Sequence, residues 1–122
     1  MKKILIAEDD RNLAGLIQKM LEKEGFTTKV AYEGASTLKE IKEFRPDLLI
    51  LDIMMPIVDG YNVCKILQED IKYHPLPKII VVTIRKDEWD KRISSFLGVD
   101  AFINKPFKFE EVLSTVKKLL TE

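Results

Sequence analysis

Five short apolar runs alternate along the chain with longer stretches in which apolar residues recur every three or four positions. The runs are rich in branched aliphatic side chains, which is typical of strands buried on both faces of a parallel sheet. They are Ile4 to Ala7, Phe26 to Tyr32, Asp47 to Asp52, Ile79 to Thr83 and Asp100 to Ile103. The second run is the most polar, so we expect it to form an edge strand.

The stretches between the runs have the spacing of amphipathic helices. The predicted inward faces are Leu13, Leu16, Ile17, Met20 and Leu21; Leu38, Ile41 and Phe44; Val63, Ile66, Leu67 and Ile71; Trp89, Ile93 and Phe96; and Val112, Leu113, Val116, Leu119 and Leu120. Strands that alternate with helices in this way indicate right-handed crossovers. The sequence therefore predicts an α/β fold with a parallel sheet covered on both sides.

The length and the charge balance of the chain limit the number of domains and the kinds of partner it can have. Its 122 residues are predicted to form one domain, residues 1–122, and 20 basic against 20 acidic residues give a formal net charge of zero. This balance favours neither nucleic acid nor a membrane as a partner. One cysteine excludes an intramolecular disulfide, and the amino-terminal apolar run is too short for a signal peptide. We therefore expect a cytoplasmic protein.

Polar side chains cluster just past the ends of the predicted strands. They are Glu8, Asp9, Asp10, Asp52, Thr83 and Lys105. In an open parallel sheet the carboxyl ends of the strands form the rim of the binding crevice, so these groups should converge there. Taken singly, the acids could merely cap the first helix, and Lys105 could be a solvated loop lysine.

Several carboxylates close together repel one another unless a cation lies between them, and Lys105 supplies only one positive charge. Mg2+ is the natural complement, with Mn2+ able to substitute, because it takes oxygen ligands and needs only one or two carboxylates. One histidine, His74, and one cysteine, Cys64, make a zinc site improbable. A carboxylate beside a divalent ion, a lysine and a hydroxyl suits an aspartyl phosphate. Asp52 would be the nucleophile, Lys105 would share its negative charge, and Thr83 would bind a phosphoryl oxygen.

Along nearly its whole length the chain resembles the receiver domains of two-component response regulators. The matching residues are Glu8 and Asp9, Asp52 with Met55-Pro56 and Asp59-Gly60, Thr83, and Lys105-Pro106-Phe107. The resemblance implies a doubly wound, flavodoxin-like (βα)5 fold with strand order 2-1-3-4-5. It implies phosphorylation of Asp52 by a sensor histidine kinase or phosphotransfer protein, without classical enzymatic turnover. It also assigns Glu8, Asp9, Asp52 and the backbone carbonyl of Met54 to the metal.

The resemblance further implies a switch. In such domains the threonine, here Thr83, is drawn toward the phosphoryl group, and an aromatic residue of the last strand, here Phe102, turns inward. The surface that rearranges is the fourth helix, the fifth strand and the fifth helix, about residues 86–122, and it would contact an output protein or domain. The protein would be a monomer or a weak, phosphorylation-dependent dimer. The bond between Lys105 and Pro106 is expected to be cis.

Three residues are expected to tune the site. Ile84 follows the threonine, where the family usually has a small residue, and its bulk could obstruct the phosphoryl pocket or restrain the loop. Met54 and Arg85 occupy positions that affect dephosphorylation in receivers. We predict slow hydrolysis, because Met54 cannot orient water and Arg85 can shield the phosphoryl group.

Kinase docking in receivers uses the exposed side of the first helix and nearby loops, which makes Ala14, Gly15, Gln18, Pro106 and Phe107 candidates here. Two other functions compete with the signalling switch. A phosphorylation-independent interaction module would retain the fold, and Ile84 is its best support. A small hydrolase with an aspartyl intermediate ranks last, because Asp52-Ile53-Met54 lacks a second carboxylate two residues on to act as general acid or base.

Overall fold

The chain folds around a single five-stranded parallel sheet. In the computed structural model, residues 2–52, 60–83 and 98–121 are described. The strands are β1, Lys3–Ala7; β2, Thr27–Ala31; β3, Leu48–Asp52; β4, Lys78–Thr83; and β5, Ala101–Asn104. Their order across the sheet is β2-β1-β3-β4-β5, and all neighbours are parallel. This confirms the predicted doubly wound, flavodoxin-like order and places the polar strand β2 at an edge.

The start of one described helix and the end of another have a clear local cause. They are α1, Arg11–Lys23; α2, Gly34–Phe44; α3, Gly60–Glu69; and a C-terminal helix, Phe109–Leu120. Helix α1 begins after Asp10, whose carboxylate accepts a hydrogen bond from the Leu13 amide at 3.1 Å and so satisfies a free amide of the first turn. Helix α2 ends at Phe44 and is followed by Arg45, which has a left-handed backbone (φ 53°), and then by Pro46.

Two hydrophobic cores lie on opposite faces of the sheet. One packs α2 and α3 against alternate residues of β1, β3 and β4, and the other packs α1 and the C-terminal helix against the remaining residues of these strands. Residues 48–52 of β3 are all buried, because this strand lies between β1 and β4 and is covered on both faces. The uninterrupted apolar character of β3 therefore follows from its central position.

Within the described residues, two members of the predicted inward faces are exposed instead. Leu16 is 53% exposed and Ile71 is 84% exposed. The centre of the buried face of α1 is set by Ala14, Ile17 and Leu21, which lie three and four residues apart, and Leu16 points away from it. The prediction for Ile71 was wrong because α3 ends at Glu69 and a short 3-10 turn, Ile71–Tyr73, follows.

The predicted fourth helix, with Trp89, Ile93 and Phe96, lies outside the described residues. Within the described part, no helix is both long enough and apolar enough to cross a membrane.

The difference in burial between two isoleucines predicts very different stability effects. Ile80 is fully buried in β4, so Ile80→Ala should lower the free energy of unfolding by about 2–5 kcal/mol through lost burial and a residual cavity. Ile71→Ala should change it by less than about 0.5 kcal/mol, since that side chain stays in water. Urea denaturation of the two variants measures both values. Equal losses would contradict the described end of α3.

Candidate functional site

The sheet places the predicted acidic residues side by side. Ala7 of β1 pairs with Leu51 of β3, so the next residues, Glu8 and Asp52, lie beside one another at the carboxyl ends of the strands. Strand alternation also directs their side chains, because Glu8 continues the series of Ile4 and Ile6 on one face of the sheet. Both acids therefore extend the same face of the sheet, on the side of α1.

Three carboxylates form the centre of the site. Glu8, Asp9 and Asp52 each offer an oxygen, and these oxygens all lie within 4.8 Å of one another. Glu8 is 3% exposed and Asp52 is 4% exposed, whereas Asp9 faces solvent. The amide of Glu8 donates to the carbonyl of Ala31 at 3.0 Å, and the amide of Asp10 donates to Glu8 Oε2 at 3.2 Å. These backbone contacts fix the position of Glu8.

Lys105 enters the acidic cluster from the other side. Its Nζ lies 2.8 Å from Glu8 Oε1 and 3.5 Å from Asp52 Oδ2. Its backbone amide donates to the carbonyl of Thr83 at 3.0 Å, which fixes the start of the loop after β5 to the end of β4. The bond from Lys105 to Pro106 is cis, as the family resemblance implies. Of the two carboxylates that Lys105 contacts, Glu8 is the nearer one.

The electrostatics of the site follow from crowding acids in a buried position. The pKa of Glu8 is raised to about 7, chiefly by burial, while the hydrogen bond from Lys105 opposes the shift and the neighbouring Asp52 adds to it. Burial lowers the pKa of Lys105, but the hydrogen bond to Glu8 and the charges of Asp52 and Glu8 outweigh this, so its pKa is raised. Lys105 therefore stays charged, and the site still carries an excess of negative charge when the acids ionise.

The donor set fits a magnesium ion. Carboxylate oxygens from Glu8, Asp9 and Asp52 are hard ligands within reach of one ion, and the exposed Asp9 leaves one side open to water. A divalent cation would relieve the repulsion that a single lysine cannot balance. Cys64 lies buried in α3, where burial raises the pKa of its thiol to about 12, so the thiol is neither a ready metal ligand nor a reactive group.

Thr83 and Phe102 share one face of the sheet. Val81 pairs with Phe102 and Thr83 with Asn104, and residues two apart on a strand lie on the same face. That face carries the core beneath α2 and α3, against which the half-buried Phe102 packs. Thr83 is fully buried at the end of β4. The two predicted switch residues are therefore diagonal neighbours across β4 and β5.

Several predicted site residues fall in two segments, residues 53–59 and 84–97. Met54, Ile84 and Arg85 lie outside the described residues, as do Met55, Pro56 and Asp59 of the family motif. The slow hydrolysis assigned to Met54 and Arg85 stays a prediction.

The docking candidates divide into buried and accessible residues. Ala14 is fully buried, so its assignment to a docking surface was wrong; its small side chain lets α1 pack closely on the sheet. Gly15 and Gln18 are half-buried and Pro106 is exposed. Phe107 is half-buried and packs edge-to-face on Phe109, with ring centroids 5.8 Å apart.

Sequence reasoning missed a contact at the start of α1. The Arg11 guanidinium carbon lies 3.9 Å from the centre of the Tyr32 ring, which joins α1 to the segment after β2. The sequence contains only an indirect signal for this contact. If β1 and β2 are neighbouring parallel strands, the residues that follow them, including Arg11 and Tyr32, lie at the same edge of the sheet.

The doubly wound fold with an acidic pocket at the carboxyl edge of its sheet is the architecture that the family resemblance implies, and comparison with known proteins identifies the same family. Residues 4–117 match the model of the response regulator receiver domain. The chain belongs to this family, which serves two-component signalling.

Individual relatives support this membership. The chain is 37% identical over 119 residues to the Bacillus subtilis alkaline phosphatase synthesis transcriptional regulatory protein PhoP, covering 98% of this chain and 48% of PhoP. It thus spans about half the length of the curated relatives it matches. The Francisella response regulator 1452 receiver domain superposes with a TM-score of 0.87 at 29% identity, covering 98% of this chain and 96% of the other. The Thermotoga maritima response regulator TrrA, solved in complex with Mg(2+)-BeF, gives 0.82 at 32% identity, covering 98% and 99%.

The raised pKa of Glu8 predicts how the stability of the metal-free protein depends on pH. Between the ordinary value of 4.5 and about 7, the folded chain holds a proton on Glu8 that the unfolded chain has released. The contribution of Glu8 to stability is therefore full below about pH 4.5 and is lost as the pH rises through about 7. Glu8→Gln should remove this loss, which we expect to be roughly 1–3 kcal/mol.

Urea denaturation in EDTA at pH 5, 6 and 7.5 measures the difference between wild type and Glu8→Gln. The exposed Glu110 provides the control variant Glu110→Gln, whose curve should parallel that of wild type. A constant difference between Glu8→Gln and wild type across this range would contradict the raised pKa.

Proposed function

We propose that this receiver domain is a phosphorylation-activated signalling switch that accepts a phosphoryl group on Asp52 from a sensor histidine kinase or phosphotransfer protein. The observation that carries the proposal is the position of Asp52, which is 4% exposed, has two other carboxylates within 4.8 Å and lies 3.5 Å from the Lys105 ammonium. A carboxylate in this setting is a nucleophile next to groups that balance developing negative charge.

In the proposed step, one oxygen of Asp52 forms a bond to phosphorus while the bond from phosphorus to the donor's nitrogen or oxygen breaks. The electron pair of the broken bond leaves with the donor. The reaction depends on in-line positioning and charge neutralisation rather than on acid or base chemistry by the protein. In this proposal the protein is a phosphoacceptor that assists its own phosphorylation and dephosphorylation, and it is not an enzyme with an external product.

Each neighbouring side chain has a role in this proposal. Lys105, at 2.8 Å from Glu8 and 3.5 Å from Asp52, would shift toward the phosphoryl group as negative charge appears there. Thr83 would donate its hydroxyl proton to a phosphoryl oxygen. Glu8, Asp9 and Asp52, with the backbone carbonyl of Met54, would hold Mg2+, with Mn2+ as a substitute. The ion would supply positive charge for the phosphoryl oxygens.

The output would pass through Phe102. Because Thr83 and Phe102 are diagonal neighbours on one sheet face, a movement of Thr83 toward the phosphoryl group would open space beside Phe102. The surface of residues 86–122 would then rearrange to contact an output protein or domain. We place the protein in the cytoplasm, as a monomer or weak phosphorylation-dependent dimer, with no nucleic acid bound by this domain itself.

The donor would dock on the outer side of α1 and the loop after β5. Gly15, Gln18, Pro106 and Phe107 remain accessible or half-accessible there.

Intact mass spectrometry after incubation with acetyl phosphate and Mg2+ tests the phosphoacceptor. Wild type should gain one phosphoryl group, about 80 Da by the general chemistry of phosphoryl addition, and Asp52→Asn should gain none, because the amide is not a nucleophile. The exposed Glu69→Gln, on α3 and outside the acidic cluster, is the control and should be labelled like wild type. Failure of wild type to be labelled would contradict the proposal and favour a phosphorylation-independent interaction module. Release of inorganic phosphate from a phosphate ester would instead revive the hydrolase.

Lys105→Ala should separate phosphorylation from output. We expect the variant to fold, because loss of the ammonium raises the pKa of Glu8 further and a proton on Glu8 then relieves the repulsion. It should still be labelled, but without the ammonium the phosphoryl group should no longer shift the switch. The measurement is the change in amide NMR shifts of β5 on addition of beryllium fluoride and Mg2+.

In wild type the NMR shifts of the β5 amides should change. In Lys105→Ala these changes should fall by at least about half, because the variant lacks the charge-assisted hydrogen bond from the ammonium to the phosphoryl mimic. The exposed Lys108→Ala serves as control. Full β5 shifts in Lys105→Ala would contradict the role of Lys105.

A further inference from the structure

Two carboxylates at the amino ends of the strands, opposite the acidic pocket, each bind the backbone of a neighbouring strand. Asp47 directly precedes β3 and Asp100 directly precedes β5. Asp47 Oδ2 accepts a hydrogen bond from the Lys3 amide at 2.8 Å, and Asp100 Oδ2 accepts one from the Ile79 amide at 2.8 Å. Both carboxylates lie at the edge of the sheet farthest from the phosphoryl chemistry, so that chemistry does not account for them.

Each of these contacts is reciprocal. The Asp47 amide donates to the Lys3 carbonyl at 2.8 Å, and the Asp100 amide donates to the Ile79 carbonyl at 2.8 Å. Each aspartate therefore binds one residue twice, once through its side chain and once through its backbone. Because hydrogen bonds depend on distance and angle, both contacts can form together in only one alignment of the two strands. The pair of contacts thus specifies the register of the strands.

Asp47 also contacts the strand on its other side. Its carbonyl accepts a hydrogen bond from the Lys78 amide at 3.0 Å. Asp47 therefore joins the starts of β1 and β4 to the start of β3, which lies between them. It is placed to align the central strand with both of its neighbours.

The apolar residues of the sheet do not specify this alignment by themselves. Residues 48–51 of β3 are all leucine or isoleucine and all are buried. Residues 4–7 of β1 and 79–82 of β4, which face them, are also apolar and buried. A strand buried on both faces has no alternation of polar and apolar residues that would oppose a shift. A polar residue that is satisfied in only one position can select the register, as a buried asparagine does in coiled coils.

The number of residues along each strand carries this alignment to the acidic pocket. Glu8 lies five residues after Lys3, and Asp52 lies five residues after Asp47, so the two acids end level with each other. A shift of β3 by one residue would turn Asp52 to the opposite face of the sheet. A shift by two residues would move it by about 6–7 Å. Either change would remove Asp52 from the cluster in which the acidic oxygens lie within 4.8 Å of one another.

The same relation holds between β4 and β5. Thr83 lies four residues after Ile79, Asn104 lies four residues after Asp100, and Thr83 and Asn104 are paired. Lys105 follows directly, and its amide donates to the Thr83 carbonyl at 3.0 Å. Because β5 is an edge strand of the described sheet, it has one neighbouring strand to hold its position. The contact at its start therefore bears directly on where Lys105 emerges.

We infer that Asp47 and Asp100 are positioning residues for the phosphoacceptor site. Asp47 sets the register of β3 on β1 and thereby holds Asp52 beside Glu8. Asp100 sets the register of β5 on β4 and thereby brings Lys105 to the same edge. This positioning role rests on the proposed function of Asp52, whereas the register itself can be measured without a phosphoryl donor.

Two substitutions of Asp47 separate its hydrogen bond from its charge. Asp47→Ala removes the acceptor, whereas Asp47→Asn keeps an oxygen that can accept from the Lys3 amide. In ¹⁵N NMR spectra without Mg2+, Asp47→Ala should change the amide shifts of Glu8 and Asp52, and Asp47→Asn should leave them close to wild type. Unchanged Glu8 and Asp52 shifts in Asp47→Ala, or equal changes in both variants, would overturn the inference.

Ile41→Val is the control for stability. Ile41 is 1% exposed in α2, on the sheet face opposite Glu8 and Asp52. Both Ile41→Val and Asp47→Ala should lower the urea midpoint, but only Asp47→Ala should weaken Mg2+ binding. The expected loss is about tenfold, the lower end of the range for groups that orient metal ligands from outside. Titration of the site amides with Mg2+ measures it. Equal weakening in Ile41→Val would show a general effect of stability and overturn the inference.

Asp100→Ala tests the same role in β5 and decides the matter if Asp47→Ala does not fold. Asp100 is exposed and precedes an edge strand, so this variant should fold. The amide shifts of Asn104 and Lys105 should change, and Asp100→Asn should restore them. Wild-type Asn104 and Lys105 shifts in Asp100→Ala would overturn the inference.

Phosphorylation separates this inference from the proposed function. At saturating Mg2+, the initial rate of Asp52 labelling by acetyl phosphate should fall by about tenfold or more in Asp47→Ala, because a displacement of about 1 Å near reacting atoms can cost about a hundredfold. Asp47→Asn should recover most of this rate, and a wild-type rate in Asp47→Ala would overturn the positioning role. If wild type itself is not labelled, the proposed function fails, while the amide shifts and Mg2+ affinity still decide whether Asp47 sets the register.

Discussion

The site depends on the burial of two carboxylates beside one lysine. Glu8 and Asp52 are almost inaccessible to water, and only Lys105 offsets their charge within the described part of the pocket. Burying like charges is unfavourable unless a cation or a proton intervenes. Burial, together with the nearby charge of Asp52, accordingly raises the pKa of Glu8. Receivers that bind a metal and a phosphoryl group need such a poised site, since both ligands change its charge balance.

The sheet makes that arrangement possible. Strand β3 is buried along its whole length, so Asp52 is held at the end of a rigid element rather than on a loop. Register with β1 sets Glu8 beside it, and the backbone bond from Lys105 to Thr83 brings the end of β5 to the same edge. The burial of apolar strand residues below the site thus stabilises an arrangement in which Glu8 and Asp52 lie close together, although their charges repel each other.

Two surfaces of the domain follow from the same helix. The inner stripe of α1, with Ala14, Ile17 and Leu21, anchors it to the sheet. On the outer side of the helix, Leu16 is 53% exposed and Gly15 is half-buried. Because α1 begins next to the acidic pocket, a partner bound on its outer stripe would be carried close to Asp52. In the proposed function, α1 would therefore bring the phosphoryl donor close to Asp52.

The sequence by itself determined the α/β class and the five strands, because strand period and strand ends are local properties of the chain. The convergence of Glu8, Asp9, Asp52 and Lys105 then followed from the rule that the carboxyl ends of parallel strands share one edge of the sheet. Tertiary structure alone decided the rest. Apolar spacing did not show that Ala14 faces the sheet while Leu16 faces water, since both residues are apolar and only packing against the sheet and the C-terminal helix fixes the rotation of α1. Nor did it show that α3 ends before Ile71. The shorter contact of Lys105 with Glu8 rather than Asp52 depends on distances between chain segments 97 and 53 positions apart, which no local pattern encodes.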